Sequence, residues 1–447
     1  MKKLVLSLAL VLAGSFAMGQ ELTKEQIKEQ KKQTKALMKV VTDAEANITA
    51  NPVGAANAIK TATGNDLVNK NAYVWFVSAS AKKAVIDGEN RKRAEGAAFD
   101  EPLMYSYAYE LGGDLENCEK YDNMPDAKGK VKPKYGEFIL MSYAQEFGQF
   151  YNAGAYYYGN ENYEKAYYLF KMFIDASEKL YQAGMLPKDT VNVPVAAYNM
   201  ALCGMQLENY DMVLTHVDLA MANPQMAESA YRFKSAAYLE KGDTATWLNM
   251  CKEGVAKFPN DLYYSQSLIH YYDSRNQSEE LGKLADELMA KDPSNPLFVY
   301  LKGYLAHQKE DFDTAINWYE KTLEVDSNYE NALSNLGRCY LIKAQEYSVA
   351  QSSTKVTDKK KLAEDKKILE GYYNKALPLL ERLRSVAPDK HELWLTNLIN
   401  CYYNLKMADK VKELEDLQKS LGYESGVYHK QKNTVAIATV FFCLCCL

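Results

Sequence analysis

NPLFVYLKGYLAHQKEDFDTAINWYEKTLEVDSN, Asn295 to Asn328, is the stretch from which the fold can be read. Val299, Gly303 and Ala306 fall at i, i+4 and i+7, and after the polar junction Asp311-Phe312-Asp313 a second apolar set follows at Ala315, Ile316, Tyr319 and Leu323. That spacing predicts two amphipathic helices joined by a short turn. Gly303 has no side chain and lets the helices approach closely, while Phe312 and Tyr319 fill the wider gap. One such pair cannot cover its own apolar faces, so neighbours must stack on it.

The same length of 34 residues recurs outward from this unit. Ala201, Ser235, Ile269, Gly303 and Gly337 are each one period apart, and Val213, Trp247, Leu281 and Ala315 share the phase. Tyr238 and Tyr272 add an aromatic class, with Tyr340 two periods further on, and Pro259 and Pro293 close units. A shared period in three classes of position marks a repeat architecture. Two interruptions keep the phase. Between Gly154 and Ala201 thirteen extra residues place an insertion at about 182-193, and between Gly337 and Leu398 a further 27 place one at 344-370. The second is read as two overlong helices with a tip near Ser352 to Lys361. Its lysines, including the Lys-rich run 352-367, are assigned to solvent, with a docking knob as the alternative.

In these residues the chain resembles the tetratricopeptide repeat family. The match is densest over 296-343, with Gly303, Phe312, Ala315, Tyr319, Leu333, Leu336, Gly337 and Tyr340. An earlier unit has Phe150, Gly154, Tyr157, Tyr163, Ala166 and Phe170, and a later one Ala376, Leu380, Leu383, Pro388, Trp394, Leu398 and Tyr402. Trp247 and Leu281 stand where the second helix would carry a small residue, Ser327 where a proline would close the unit, and Lys410 where alanine is expected. The resemblance implies an all-α fold: an α-solenoid, a right-handed superhelix of stacked antiparallel helix pairs over 147-420. Residues 20-146 fit the period poorly and are assigned to a divergent helical capping region. There Leu37, Val41, Ala44 and Ile48 outline one helix after a mobile Lys/Glu/Gln-rich stretch. Asn71 to Asp87 and Glu101 to Leu111 outline two more, and Gly112 to Pro133 reads as a polar loop.

Composition narrows the function. The 447 residues carry 53 Lys+Arg against 58 Asp+Glu, a net charge of −5, which gives nucleic acid no globally basic surface. Tyr is abundant at 35, whereas Gly and Pro are scarce at 23 and 12, favouring helices over a turn-rich β chain. Met1 to Gly19 has a short basic start, the apolar run Leu4 to Leu12 and small residues at Ala17 and Gly19, the layout of a cleaved secretory signal. The expected location is therefore periplasmic, in association with the cell envelope. Cys118, Cys203, Cys251, Cys339 and Cys401 are solitary, so buried thiols are expected rather than a disulfide framework. Cys443, Cys445 and Cys446 crowd the apolar end of the tail 421-447. From residue 434 that tail is too short to cross a bilayer and is read as unstructured, with peripheral membrane contact as the alternative.

Catalytic patterns are missing. The five histidines have no partner at metal-ligating helical spacing, and no nucleophile elbow or glycine-rich phosphate loop follows a strand pattern. No cofactor, metal or enzymatic activity is expected. What remains is a surface. The family's first helices line a concave face, and phase places Tyr151, Tyr198, Arg232, Gln266, Tyr300 and Ser334 in one inward row, with Ala155, Leu202, Ala236, His270, Tyr304 and Arg338 one turn later. The rows lack the Lys/Asn/Arg clamp with which some family members hold acidic C-termini. Exposed tyrosines there would suit an interaction scaffold for an extended segment or domain of another protein, with a glycan or cell-wall binding module as the alternative.

Overall fold

A computed structural model describes residues 23-126, 128-352 and 359-422. Residues 1-19, read above as a secretory leader, most of the 352-361 tip and the apolar tail with its three cysteines lie outside them. The chain forms two compact units, one ending at Phe258 and one beginning at Pro259. The first holds α1 (Lys24–Asn47), α2 (Pro52–Thr63), α3 (Ala72–Ala94), α4 (Glu101–Asp122), α5 (Gly136–Gly159), α6 (Tyr163–Gln182), α7 (Asn192–Gln206), α8 (Tyr210–Ala220), α9 (Ala227–Glu240) and α10 (Thr244–Lys257). The second holds α11 (Leu262–Ser274), α12 (Ser278–Lys291), α13 (Pro296–Gln308), α14 (Phe312–Val325), α15 (Glu330–Ser352), α16 (Lys359–Val386), α17 (His391–Asn404) and α18 (Ala408–Ser420). Within each unit every helix packs on the next, and among the described residues there is no strand.

The hairpin turns repeat at residue level. Glu161, Glu208, Gly242, Asn276, Glu310 and Lys406 all adopt left-handed φ values between 51° and 79°. Each stands immediately before the N-cap of the hairpin's second helix. The next backbone N–H closes a six-residue loop onto the first helix in all six hairpins, as in Asn209 N to Gly204 O at 2.9 Å and Asp311 N to Ala306 O at 3.0 Å. The first helix thus satisfies its last carbonyls as it reverses. Asn162, Asn209, Asp243 and Asp311 then cap the second helix by accepting from the N–H three residues on, a contribution of about 1 kcal/mol each. The left-handed positions 208, 242, 276 and 310 are 34 apart, the period already evident in the side chains.

Inside the hairpins, residues sixteen apart share space. A Cβ on Gly154 would stand 2.9 Å from Phe170, and one on Gly303 would stand 2.7 Å from Tyr319. Ser235 meets Cys251 at 3.9 Å. Gly337 faces Leu380 at 2.9 Å, sixteen residues on once the insertion is discounted. At Gly154, Gly303 and Gly337 the missing side chain on the first helix is matched by a large one on the second, which keeps the local volume near constant. The irregular positions fit the same logic. Trp247 and Leu281 are buried, and Lys410 pairs with Glu381 at 2.8 Å while lying over the Tyr402 ring.

A loop connects α6 to α7, and α15 and α16, at 23 and 28 residues, are longer than the other helices of the second unit. The N-terminal region corrects three expectations. α1 begins at Lys24, under a reciprocal cap between Thr23 and Gln26, so the Lys/Glu/Gln-rich stretch is helical. α2 was not anticipated because its core is mostly alanine, which carries little periodic signal. α4 runs on to Asp122 through Gly112, where Tyr168 and Met172 pack and a side chain would be crowded. The repeat boundary at 147 also falls inside α5. Cys118, Cys203, Cys251, Cys339 and Cys401 are free and buried, and burial pushes each thiol up to about 12.

Candidate functional site

The predicted row divides between the two units. In the first unit, Phe147, Tyr151, Ala155 and Tyr158 share one face of α5. Phe147 stacks on Phe173 at 5.8 Å, and Tyr151 stands edge-on to Phe170 and Phe173 of α6, with ring centroids 5.5 and 5.3 Å apart. Tyr158 meets Tyr163 edge-on at 5.4 Å. Burial raises its phenol pKa, with smaller contributions from Cys203, Tyr163 and Tyr198 nearby. Tyr198 on α7 rests on Phe233 of α9 at 5.5 Å, and Arg232 beside it is half-buried, 4.0 Å from Glu228.

Tyr151, Tyr158 and Tyr198 therefore form a half-exposed line, backed by the phenylalanines Phe170, Phe173 and Phe233. Such residues offer rigid area and a polar tip while paying little conformational entropy. Tyr158 was absent from the predicted row, although its place seven residues after Tyr151 put it on the same face.

The second unit corrects the row. Tyr300 and Tyr304 are each 3% exposed, so the accessibility expected of a groove fails at both. Tyr300 accepts a hydrogen bond from Asn335 Nδ2 at 2.8 Å and lies 5.5 Å from the Tyr319 ring and 5.4 Å from Tyr329. Tyr304 donates to Asp273 at 2.8 Å and accepts from Gln308 at 2.7 Å. Position 300 lies three residues before the close-approach glycine, so the next hairpin covers it. Burial holds both phenols above their ordinary range. Ser334 is likewise buried, donating to the Leu393 carbonyl. Gln266 and Arg338 are half-buried and His270 is exposed.

A feature not singled out from sequence lies between α12, α13 and α14. An open groove of about 350 Å³ is lined by Asp286, Met289, Val299, Trp318, Lys321 and Val325. Lys321 Nζ stands 4.2 Å from the Trp318 ring centroid. Trp318 adjoins Tyr319 in sequence, and its neighbour's strong repeat signal masked it. Among the described residues no group of three His, Cys, Asp or Glu could hold a metal, and no helix is long and apolar enough to cross a membrane.

No protein-family model matches the sequence, and no curated protein does. Similar solved structures include a TPR repeats protein from Bacteroides fragilis, 17% identical, aligned over 62% of this chain and 98% of its own, with a TM-score of 0.27. Another is the C-terminal part of a TPR repeat-containing protein from Cytophaga hutchinsonii, 14% identical over 63% of this chain and 100% of its own, with a TM-score of 0.38. At that identity and superposition the likeness carries no argument, and the turns, caps and sixteen-residue contacts by themselves establish an all-α stack of repeated antiparallel helix hairpins.

Proposed function

We propose that the protein is a non-enzymatic interaction scaffold. Its first unit holds an extended segment or domain of another protein along Tyr151, Tyr158 and Tyr198. The observation that carries this reading is the half-exposed aromatic line itself, shared by neighbouring first helices with no convergent acid, base or nucleophile at its centre. Arg232 at the end of the line adds a cation suited to a carboxylate, and Gln266, His270 and Arg338 keep polar surface on the second unit. The leader-like segment Met1 to Gly19 supports work outside the cytoplasm, in the periplasm on an envelope partner.

Proximity labelling of the exported protein, compared with a Tyr151→Ala/Tyr198→Ala variant, tests the proposal. Loss of one defined protein partner by the variant, with melting unchanged, supports it. Equal capture by both refutes it. Loss of binding to purified cell-wall glycan instead would move the reading to a glycan-binding module.

A further inference from the structure

α1 carries a charge pattern that neither the repeat nor the scaffold reading uses. Lys24, Lys28, Lys31, Lys32, Lys35 and Lys39 are all exposed. At 3.6 residues per turn they fall within an arc of roughly 100° and extend over ~22 Å of helix. Among the described residues none of the six is in an ion pair. Glu25, Glu29, Asp43 and Glu45 lie outside the arc, and Glu45 instead accepts from the Tyr73 hydroxyl at 2.5 Å. The opposite side of α1 buries Val41 and Ala44, so the stripe faces away from the unit's core.

A terminal helix needs a polar outer face for solubility, but solubility does not call for one sign of charge. α18 shows what that requirement alone produces. Its surface interleaves Lys410, Lys412, Glu413, Glu415, Asp416 and Lys419, and Lys410 is paired with Glu381. The overall charge of −5 makes a segregated cationic stripe less expected still.

We infer that the lysine stripe of α1 docks the protein on an anionic lipid bilayer. Charge complementarity selects the occupant. Lysines act as mobile point charges on long stems, suited to a laterally fluid anionic surface that demands no fixed hydrogen-bond geometry. α1 contains no Arg and no aromatic residue. It therefore lacks both the anchors of a protein hot spot and the stacking platforms of a single-stranded nucleic acid site. The six ammonium groups run straight along the helix, and the hollow beside them, about 500 Å³ between Lys32, Lys35 and Lys39, is wide open to solvent, so the stripe fits a broad surface.

The test is co-sedimentation of the full chain with vesicles of phosphatidylcholine alone and with 30% phosphatidylglycerol (about one lipid in three charged). The measured quantity is the ratio of the two affinities, to which an apolar leader contributes equally. The inference expects Lys28→Glu/Lys31→Glu/Lys35→Glu to lower that ratio by about 100-fold or more, given roughly fivefold per lysine near a charged surface. It expects the wild-type preference to fade as salt shortens the screening length from about 10 Å at 0.1 M to about 3 Å at 1 M. Lys28→Arg/Lys31→Arg/Lys35→Arg should keep the ratio. So should Lys359→Glu/Lys361→Glu/Lys367→Glu, which alters another exposed lysine cluster. An unchanged ratio in the stripe variant, with its helix content intact, overturns the inference. So does a wild type that prefers duplex DNA or an acidic protein and shows no preference between the two vesicles.

Discussion

Gly303 and Tyr319 share a space too small for one more carbon: a Cβ on Gly303 would stand 2.7 Å from the ring. Tyr319 is fully buried against Tyr300 and His307. Gly303→Leu is therefore expected to lose about 1–3 kcal/mol through overpacking, and Gly337→Leu a similar amount against Leu380. In a Tyr319→Leu background Gly303→Ala should cost less than in the wild type, because the crowding partner has gone. Urea unfolding of Gly303→Leu, Gly337→Leu, Gly303→Ala, Tyr319→Leu and Gly303→Ala/Tyr319→Leu checks both statements, and additive costs would mean that the two residues do not share the space.

The left-handed turn residue offers the opposite kind of change. Glu310 adopts φ 57°, a region that costs a residue with a Cβ roughly 1–2 kcal/mol. Gly242 fills the equivalent place two hairpins earlier. Glu310→Gly should stabilise the protein by about 0.5–1 kcal/mol once glycine's extra unfolded-state entropy is deducted. Glu310→Val should destabilise it. A melting temperature that falls for the glycine variant would show that the side chain has a role beyond the turn.

Periodicity made the array legible because the hairpin constrains one residue per turn, two per close approach and one per cap, all at the same interval. Insertions were legible for the same reason, since Gly337 and Leu398 kept phase across 27 extra residues. Legibility failed where the signal was not periodic. α2 is stitched by Ala55, Ala56, Ile59 and Ala62, and α4 passes through paired glycines that a propensity reading takes for a loop. The site was only half legible. Phase gives the face on which Tyr151 and Tyr300 sit, but whether a neighbouring hairpin covers that face depends on Asn335 and Tyr329 one unit away.

Tyr300 and Tyr304 should consequently behave as core residues. Tyr300→Ala is expected to cost about 3–5 kcal/mol, like other large aromatic truncations. Tyr300→Phe should cost about 1–3 kcal/mol, because Asn335 loses its acceptor in a buried setting. Tyr151→Ala on the first unit should cost distinctly less, its ring being half-exposed. Thermal unfolding of the three variants ranks them, and equal melting temperatures for Tyr300→Ala and wild type would restore Tyr300 to the surface.

His307 provides a pH signature. It is buried among Phe312, Tyr319 and Cys339, and burial, assisted by the charge of Arg338, lowers its pKa to about 4. Above pH 6.5 the imidazole is neutral in both folded and unfolded chains and contributes no pH dependence. Below that the unfolded chain takes up a proton that the folded chain refuses, so stability falls between about pH 6.5 and 4. The loss reaches on the order of 3 kcal/mol at the lower end. His307→Gln should flatten this part of the stability profile. A wild-type curve already flat over that window would contradict the buried neutral histidine.

Lys82 and Asp114 form the most enclosed ion pair of the first unit, 2.7 Å apart with side chains 6% and 5% exposed. Glu110 also reaches Lys82 at 3.3 Å but keeps Lys60 as a second partner at 3.1 Å. Burial raises the Asp114 carboxyl pKa despite the opposing pull of Lys82. Lys82→Met should thus cost about 3–5 kcal/mol near neutrality, since it strands a buried carboxylate. Lys82→Met/Asp114→Leu should recover most of that loss, because two apolar residues of similar volume leave nothing uncompensated. The pH dependence follows from the same charge. Without Lys82 the folded-state pKa of Asp114 rises further above the unfolded value of about 3.9. Over the interval between the two values the folded chain binds a proton that the unfolded chain does not, so acidification stabilises the single variant relative to wild type. Urea titrations of wild type, single and double variants at pH 8, 6.5 and 5 should show the single variant's deficit shrinking as pH falls. A deficit constant across that range would mean that Asp114 is not left as a buried charge when Lys82 is removed.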